Sequence, residues 1–240
     1  MNLTGHVALA TGAAGTIGAA TAHALAAAGA RVLATDIDPT GLEATAAAIR
    51  AAQGSDAVAT RVADLVDPAA AATVVTAAVA EYGRLDVLVH ASVDHGRGGV
   101  EQLTPDQWHR TFAVNVGAVT WLVQAALPHL RCRGGSVVLF SSAPAYGGIP
   151  GCSLYGSTKG AIEALTKHLC VELAPCGSRV NAISPGWVAD TPAPPGHPEL
   201  SSYPVGRIGH PDDIASVVVF LASEQTSPVS RSQSRRYGIW

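Results

Sequence analysis

Tyr155 and Lys159 lie four residues apart in the run Tyr-Gly-Ser-Thr-Lys. If that run opens a helix, the phenol and the ammonium stack on one face. A nearby ammonium stabilises phenolate and draws a tyrosine pKa towards working pH, which a general acid/base needs. The pair alone is common by chance. Ser142 lies 13 residues before Tyr155, just after an apolar run, where its hydroxyl would hold a substrate oxygen. Asn115, in Val114-Asn115-Val116, would hold a water linked to the lysine.

A second group of residues suits a phosphate rather than a proton. Thr11-Gly12-Ala13-Ala14-Gly15-Thr16-Ile17-Gly18 follows the first apolar run and precedes an alanine-rich helix. Glycines there let the chain turn sharply and bring backbone N–H groups close to a phosphate, while the helix adds its positive dipole end. Asp36 closes the second apolar run, 18 residues after Gly18. A carboxylate at that place would accept both ribose hydroxyls of an adenosine and repel a 2′-phosphate. No Lys or Arg stands in the glycine turn, so NAD is favoured over NADP. The competing reading of Asp36 is a helix cap, a role that Asp38 already fills.

The elements that position these residues alternate regularly. Val7–Ala10, Arg31–Thr35, Ala57–Val62, Val87–Val89, Ser136–Phe140 and Val180–Ile183 read as short buried strands. Between them, Asp38-Pro39, Asp67-Pro68 and Thr104-Pro105 each place a capping side chain before a proline at the first helical position, and Thr104 with Gln107 forms a capping box. A last helix is expected over Asp212–Ser223. Such apolar strands alternating with helices predict an α/β, Rossmann-like, doubly wound parallel sheet with helices on both faces. No linker or repeat divides the pattern, so residues 1–240 are expected to form a single domain. The proline-rich stretch 192–205 reads as a substrate loop, and 230–240 is polar and basic where a last strand belongs.

Composition narrows the function classes. Of 240 residues, 48% are hydrophobic and 14% charged, which excludes a disordered chain, and the net charge of −3 argues against a nucleic-acid partner. The start shows no signal-like pattern, and the alanine-rich stretch 19–30 is too short and polar to span a bilayer. A cytoplasmic location with no membrane partner is expected. Cysteines 132, 152, 170 and 176 form no Cys-x-x-Cys pair, and the histidines show no metal-ligand spacing, so no metal is expected.

Together these residues resemble the short-chain dehydrogenase/reductase family over residues 3 to about 223. The ordered matches are the glycine turn, Asp36, Asp64, Asn115, the Ser142/Tyr155/Lys159 set, Arg179-Val180-Asn181, Pro185-Gly186 and Gly206-Arg207-Ile208-Gly209 with Pro211 and Phe220-Leu221-Ala222-Ser223. The resemblance implies a dehydrogenase/reductase interconverting a secondary alcohol and a ketone, with hydride exchanged with nicotinamide C4. It makes Tyr155 the proton donor and acceptor, Ser142 the residue that holds the oxygen, and Lys159 the group that tunes Tyr155 and binds the nicotinamide ribose. It makes Asn115 the anchor of a water. Cofactor contacts would come from Gly12, Gly15, Thr16, Ile17, Gly18, Asp36, Asp64, Leu65, Ala91, Pro185, Gly186 and Val188. A tetramer or dimer through the helices bearing Asn115 and Tyr155 is implied as well.

Departures from the family pattern are equally specific. The second glycine of the turn falls at 15, where relatives of this length commonly have it at the place of Thr16. His90-Ala91-Ser92-Val93 stands where the family reads Asn-Asn-Ala-Gly, a motif that locks the sheet and receives the ribose. Asp190 takes the place of a threonine, a poor neighbour for pyrophosphate, and the tail lacks the usual Asp-Gly-Gly strand. A divergent end or a frame change near 230 would explain the tail. His95 is expected to be a solvated loop histidine, with a second acid/base role as the alternative, and Tyr146 and Trp187 are candidates to line the pocket. Cys176 replaces the arginine that carrier-protein-dependent relatives often use, and the few charges in the pocket segments favour a neutral, apolar substrate. Two other readings stay open: non-redox acid/base chemistry on this fold, and a non-catalytic nucleotide-binding protein.

Overall fold

A computed structural model describes residues 1–130, 134–191, 203 and 205–226, together with the backbone of 233–236. In chain order the elements are β1 (Val7–Thr11), α1 (Thr16–Ala27), β2 (Arg31–Asp36), α2 (Pro39–Gln53), β3 (Val58–Val62), α3 (Pro68–Tyr82) and β4 (Val87–His90). Then come α4 (Pro105–Phe112), α5 (Ala118–Leu130), β5 (Ser136–Phe140), α6 (Ser153–Leu173), β6 (Arg179–Pro185), α7 (Pro211–Ala222) and β7 (Gln233–Arg236). The strands form one parallel sheet in the order β3-β2-β1-β4-β5-β6-β7. β7 lies parallel to β6 in the register Ala182↔Gln233, so a last strand pairs there without the Asp-Gly-Gly pattern. The rest of the tail, and positions 192–202 and 204 of the expected substrate loop, lie outside the described residues.

Period-two alternation sorts the strand side chains between two cores. Ala8 and Ala10 of β1, Val87 and Val89 of β4, and Val138 and Phe140 of β5 face Leu25, Ile49, Ile214 and Val218 of α1, α2 and α7. Val7, Leu9, Leu88, Val137 and Leu139 face Val74, Leu122, Leu130, Ile162 and Leu173 of α3, α5 and α6. Both faces are covered, as the apolar strands require. The three proline-led helices start where the punctuation places them: the Asp38 and Asp67 carboxylates accept from Thr40 N–H and Ala69 N–H, and Thr104 forms its box with Gln107. The run Pro105–Leu130 is long and apolar enough to cross a membrane, but Val119, Leu122, Val123, Ala126 and Leu130 within it are buried against the sheet.

Between α4 and α5 the helix runs on but widens. Residues 113–117 form a π-helical turn, a one-residue bulge of the kind that gathers at functional sites. Strand order reverses between β1 and β4, which opens a crevice at the carboxyl edge of the sheet. Every candidate residue but Tyr146 either lines that crevice or stands behind its wall.

Candidate functional site

The crevice has two lobes. One, of about 500 Å³, is lined by Gly12, Gly15, Asp36, Asp64, Leu65, Ala91 and Val93 among others. The other, of about 910 Å³, runs from Gly15, Thr16, Ile17 and Gly18 past Ser142, Tyr155 and Lys159 to Pro185, Gly186, Trp187 and Val188. Gly12 and Gly15 belong to both.

The first lobe is built by close backbone packing. Gly12 has a φ of 68°, and a Cβ there would sit 2.6 Å from the Ala91 carbonyl carbon. A Cβ on Gly18 would stand 1.9 Å from the Gly12 carbonyl oxygen, so only glycine lets α1 begin against this turn. Gly15 caps α1 with no side chain, leaving first-turn N–H donors uncapped at the crevice. Asp36 does not cap α2; its carboxylate accepts from Ala14 N–H at 2.9 Å and Asp38 N–H at 3.0 Å, tying β2 to the glycine turn. The Asp64 carboxylate accepts from Val66 N–H at 3.1 Å and lies 3.8 Å from Arg110. The uncapped turn, the lobe beside it and a carboxylate at its end fit a dinucleotide. One residue opposes that fit: the Thr16 hydroxyl donates to the Asp190 carboxylate at 3.2 Å, which puts a negative charge beside the start of α1.

His90 replaces the expected sheet lock with another. Its Nε2 lies 3.1 Å from the Val114 carbonyl, which only accepts, so Nε2 carries the proton. Nδ1 then accepts from the Thr11 hydroxyl at 3.0 Å, and that oxygen receives the Ala91 and Ser92 N–H groups at 3.2 and 3.3 Å. Burial, helped by the Lys159 charge, lowers the His90 pKa to about 4. The ring therefore stays neutral while bolting β1, β4 and the π turn together.

The second lobe holds the titratable groups. Tyr155 and Lys159 sit on α6, as their spacing predicts, and Ser142 lies two residues past β5, in the same lobe as the phenol. The lysine behaves differently from the expectation. Its Nζ donates to the Phe140 carbonyl at 2.8 Å and stands 5.5 Å from the centre of the Tyr155 ring. Burial lowers the Lys159 pKa to about 8, and burial raises that of Tyr155, against the Ser142 hydrogen bond. The expected downward pull of the ammonium on the phenol is outweighed because the phenol is desolvated and the ammonium is turned to the strand. The Ser141 hydroxyl donates to the Lys159 carbonyl at 3.2 Å, so α6 and β5 are tied in both directions.

Asn115 is buried in the π turn with its carboxamide fully engaged. Oδ1 accepts from Asp94 N–H at 2.8 Å, and Nδ2 donates to the Asp94 carbonyl at 2.9 Å and the Thr158 hydroxyl at 3.0 Å. Its side chain is therefore not free to hold a water; it joins the loop after β4 to α6. His95, expected to be a solvated loop histidine, is exposed on the loop after β4; its ring stands 5.4 Å from that of Tyr155, and partial burial there lowers its pKa. Trp187 lines the lobe, whereas Tyr146 does not: a 3₁₀ turn at 143–145 carries its hydroxyl to within 3.3 Å of Ser184. Cys152 and Arg97 also line the lobe, and sequence reasoning singled out neither for the site. Cys132 lies outside the described residues.

Comparison with known proteins agrees with this geometry. The family model described as enoyl-(acyl carrier protein) reductase matches residues 12–233. An uncharacterized oxidoreductase of Methylorubrum extorquens is 42% identical over 231 residues, 92% of each chain. A 2-keto-3-deoxy-L-fuconate dehydrogenase of Xanthomonas campestris is 37% identical over 240 residues, 94% of this chain and 76% of its own. Among solved structures, an NAD+-bound xylitol dehydrogenase superposes with a TM-score of 0.90 at 28% identity, covering 99% of this chain and 100% of that one. The likeness runs from the glycine turn to β7, through both lobes of the crevice. This chain is an oxidoreductase of the short-chain dehydrogenase/reductase family.

Proposed function

We propose that the protein is an NAD(H)-dependent dehydrogenase/reductase that interconverts a secondary alcohol and a ketone. The convergence of Tyr155, Ser142 and Lys159 at one end of a crevice whose other end fits a dinucleotide carries this reading. When bound, the nicotinamide supplies or takes the hydride. Ser142 holds the substrate oxygen, and Tyr155 donates a proton to it in reduction or takes one in oxidation. Lys159 would hold the nicotinamide ribose, and its charge favours the phenolate. Asn115 acts through position, holding the Asp94 loop against α6. Gly12, Gly15, Thr16, Ile17 and Gly18 receive the pyrophosphate, Asp64, Leu65 and Ala91 the adenosine, and Pro185, Gly186 and Val188 the nicotinamide. Asp36 accepts the ribose hydroxyls and repels a 2′-phosphate; Arg110, the cation of that lobe, is held by Asp64 and Asp94. The NAD+-bound relative supports the same preference.

A single domain carries both lobes. Exposed Trp108 and Trp121 on α4 and α5 and Val171 on α6 support a homo-oligomer through those helices; a cytoplasmic location belongs to the same reading. The Asp190 carboxylate at α1 favours one competing reading, acid/base chemistry without a nucleotide. Titration with NADH and NADPH, followed by nicotinamide fluorescence, separates the two. NADH binding in preference to NADPH, with turnover of a secondary alcohol that collapses by about 10²–10⁴-fold in Tyr155→Phe, supports the redox reading. Failure of both nucleotides to bind would sink it.

A further inference from the structure

The pocket segments, read as sequence, favour a neutral substrate; the assembled lobe has a different electrical character. Of its 25 lining residues none is acidic, whereas His95, Arg97 and Lys159 contribute ring nitrogens and cations. The acid nearest in sequence, Asp94, is turned away. Its carboxylate receives Gly96 N–H at 3.0 Å and lies 3.4 Å from Arg110, and its backbone is held by Asn115. Arg97 makes no ion pair with any described residue, and its charge acts on His95, which stands against the Tyr155 ring. Arg97 is exposed on the loop after β4, yet it lines a lobe among whose described lining residues no carboxylate stands, two residues from the ring beside the proton donor.

We infer that Arg97 is a specificity-determining residue that binds a carboxylate on the substrate, so that the protein acts on small hydroxy acids and keto acids. This rests on the hydride-transfer reading of the same lobe. A guanidinium takes a carboxylate through two parallel N–H···O bonds, which fixes orientation as well as affinity. His95, two residues before that anchor, packs its ring 5.4 Å from that of Tyr155, so anchor and proton donor meet in one lobe. The anchor is held in place from behind: Asn115 fixes Asp94, and Gly98 N–H donates to the Gly151 carbonyl across the lobe at 3.2 Å.

The test uses matched secondary alcohols, each acid beside its primary amide: lactate and lactamide, 3-hydroxybutanoate and its amide, 4-hydroxycyclohexanecarboxylate and its amide. Wild-type kcat/KM is expected to favour an acid over its amide by on the order of 10- to 100-fold. Arg97→Gln is expected to bring that ratio close to one, Arg97→Lys to restore part of it, and NADH affinity to serve as the folding control. A binding arm reads the anchor without chemistry: the same acids, added to the NADH complex, change nicotinamide fluorescence in wild type and not in Arg97→Gln. If that binding persists but no pair is turned over, the hydride-transfer reading fails and the carboxylate anchor stands. Equal handling of acid and amide by wild type overturns the inference. So does an Arg97→Gln effect that falls on NADH affinity instead, or no binding of any acid to the wild-type complex.

Discussion

Replacing Lys159 by methionine tests the energetics of the site directly. The ammonium is buried, and holding its pKa down from 10.5 to about 8 corresponds to roughly 3 kcal/mol against the folded state near neutrality. Methionine keeps the apolar stem and removes the charge, but it leaves the Phe140 carbonyl without its donor, a loss of about 1 kcal/mol. The variant is therefore expected to be more stable than wild type by roughly 2 kcal/mol at pH 7, or about 4–8 °C in Tm for a chain of this size. The sign of the pH dependence follows from proton counting. Between pH 8 and 10.5 the unfolded chain holds a proton on Lys159 that the folded chain has released, so wild-type stability rises with pH across that window. The variant has no such group, so its advantage is full below pH 8 and fades towards pH 10.5. Urea unfolding at pH 7, 9 and 10.5, at fixed protein concentration, measures both quantities, and turnover is expected to be lost throughout. A Lys159→Met protein no more stable than wild type at pH 7, or an advantage that does not change with pH, would refute the reasoning.

Three other substitutions probe the first lobe and its lock. Gly18→Ala forces a methyl group towards the Gly12 carbonyl at 1.9 Å, so the turn must open; a loss of about 1–3 kcal/mol and at least about tenfold weaker NADH binding are expected from thermal unfolding and titration. His90→Leu strands the Thr11 hydroxyl and the Val114 carbonyl in the core and is expected to cost about 2–4 kcal/mol by urea unfolding. Unchanged stability there would show that the histidine merely fills space. Asp190→Asn removes a negative charge beside the start of α1, and NADH affinity is expected to rise about fivefold, the equivalent of roughly 1 kcal/mol. An unchanged or weaker affinity would remove Asp190 from the account of the phosphate seat.

How much of this was legible in the sequence depends on whether the cause was local. Asp38-Pro39, Asp67-Pro68 and Thr104-Pro105 fix helix starts through one side chain and one ring, and all three helices begin there. The Tyr155–Lys159 spacing likewise needed only a helix to bring both groups to one face. Where the cause is a contact between distant segments, residue types alone did not decide. The π turn at Asn115 has no local signature, and the partners of its carboxamide come from residues 94 and 158. His90 looked like the loss of a lock because the lock it makes depends on Thr11 and Val114, 79 and 24 residues away. The direction of the Tyr155 pKa is set by burial of the phenol, which only the assembled lobe shows, while the ammonium is turned to the Phe140 carbonyl.

The two edges of the sheet divide the work of stability and function. At the amino edge the buried charges are paired: Arg84 grips the Asp86 carboxylate at 2.6 and 2.8 Å, and Asp86 also receives Val7 N–H. Nearby, Arg179 closes the end of α7 by donating to the Leu221 carbonyl at 2.6 Å and the Thr226 hydroxyl at 2.7 Å. At the carboxyl edge the opposite holds. There the first turn of α1 is uncapped and an ammonium is buried without a carboxylate. Each of these features costs folding free energy in the free protein, and each becomes favourable only beside a ligand that accepts hydrogen bonds or carries negative charge. Nucleotide binding should therefore stabilise the chain by more than its contact area suggests, because it answers donors that folding alone leaves open.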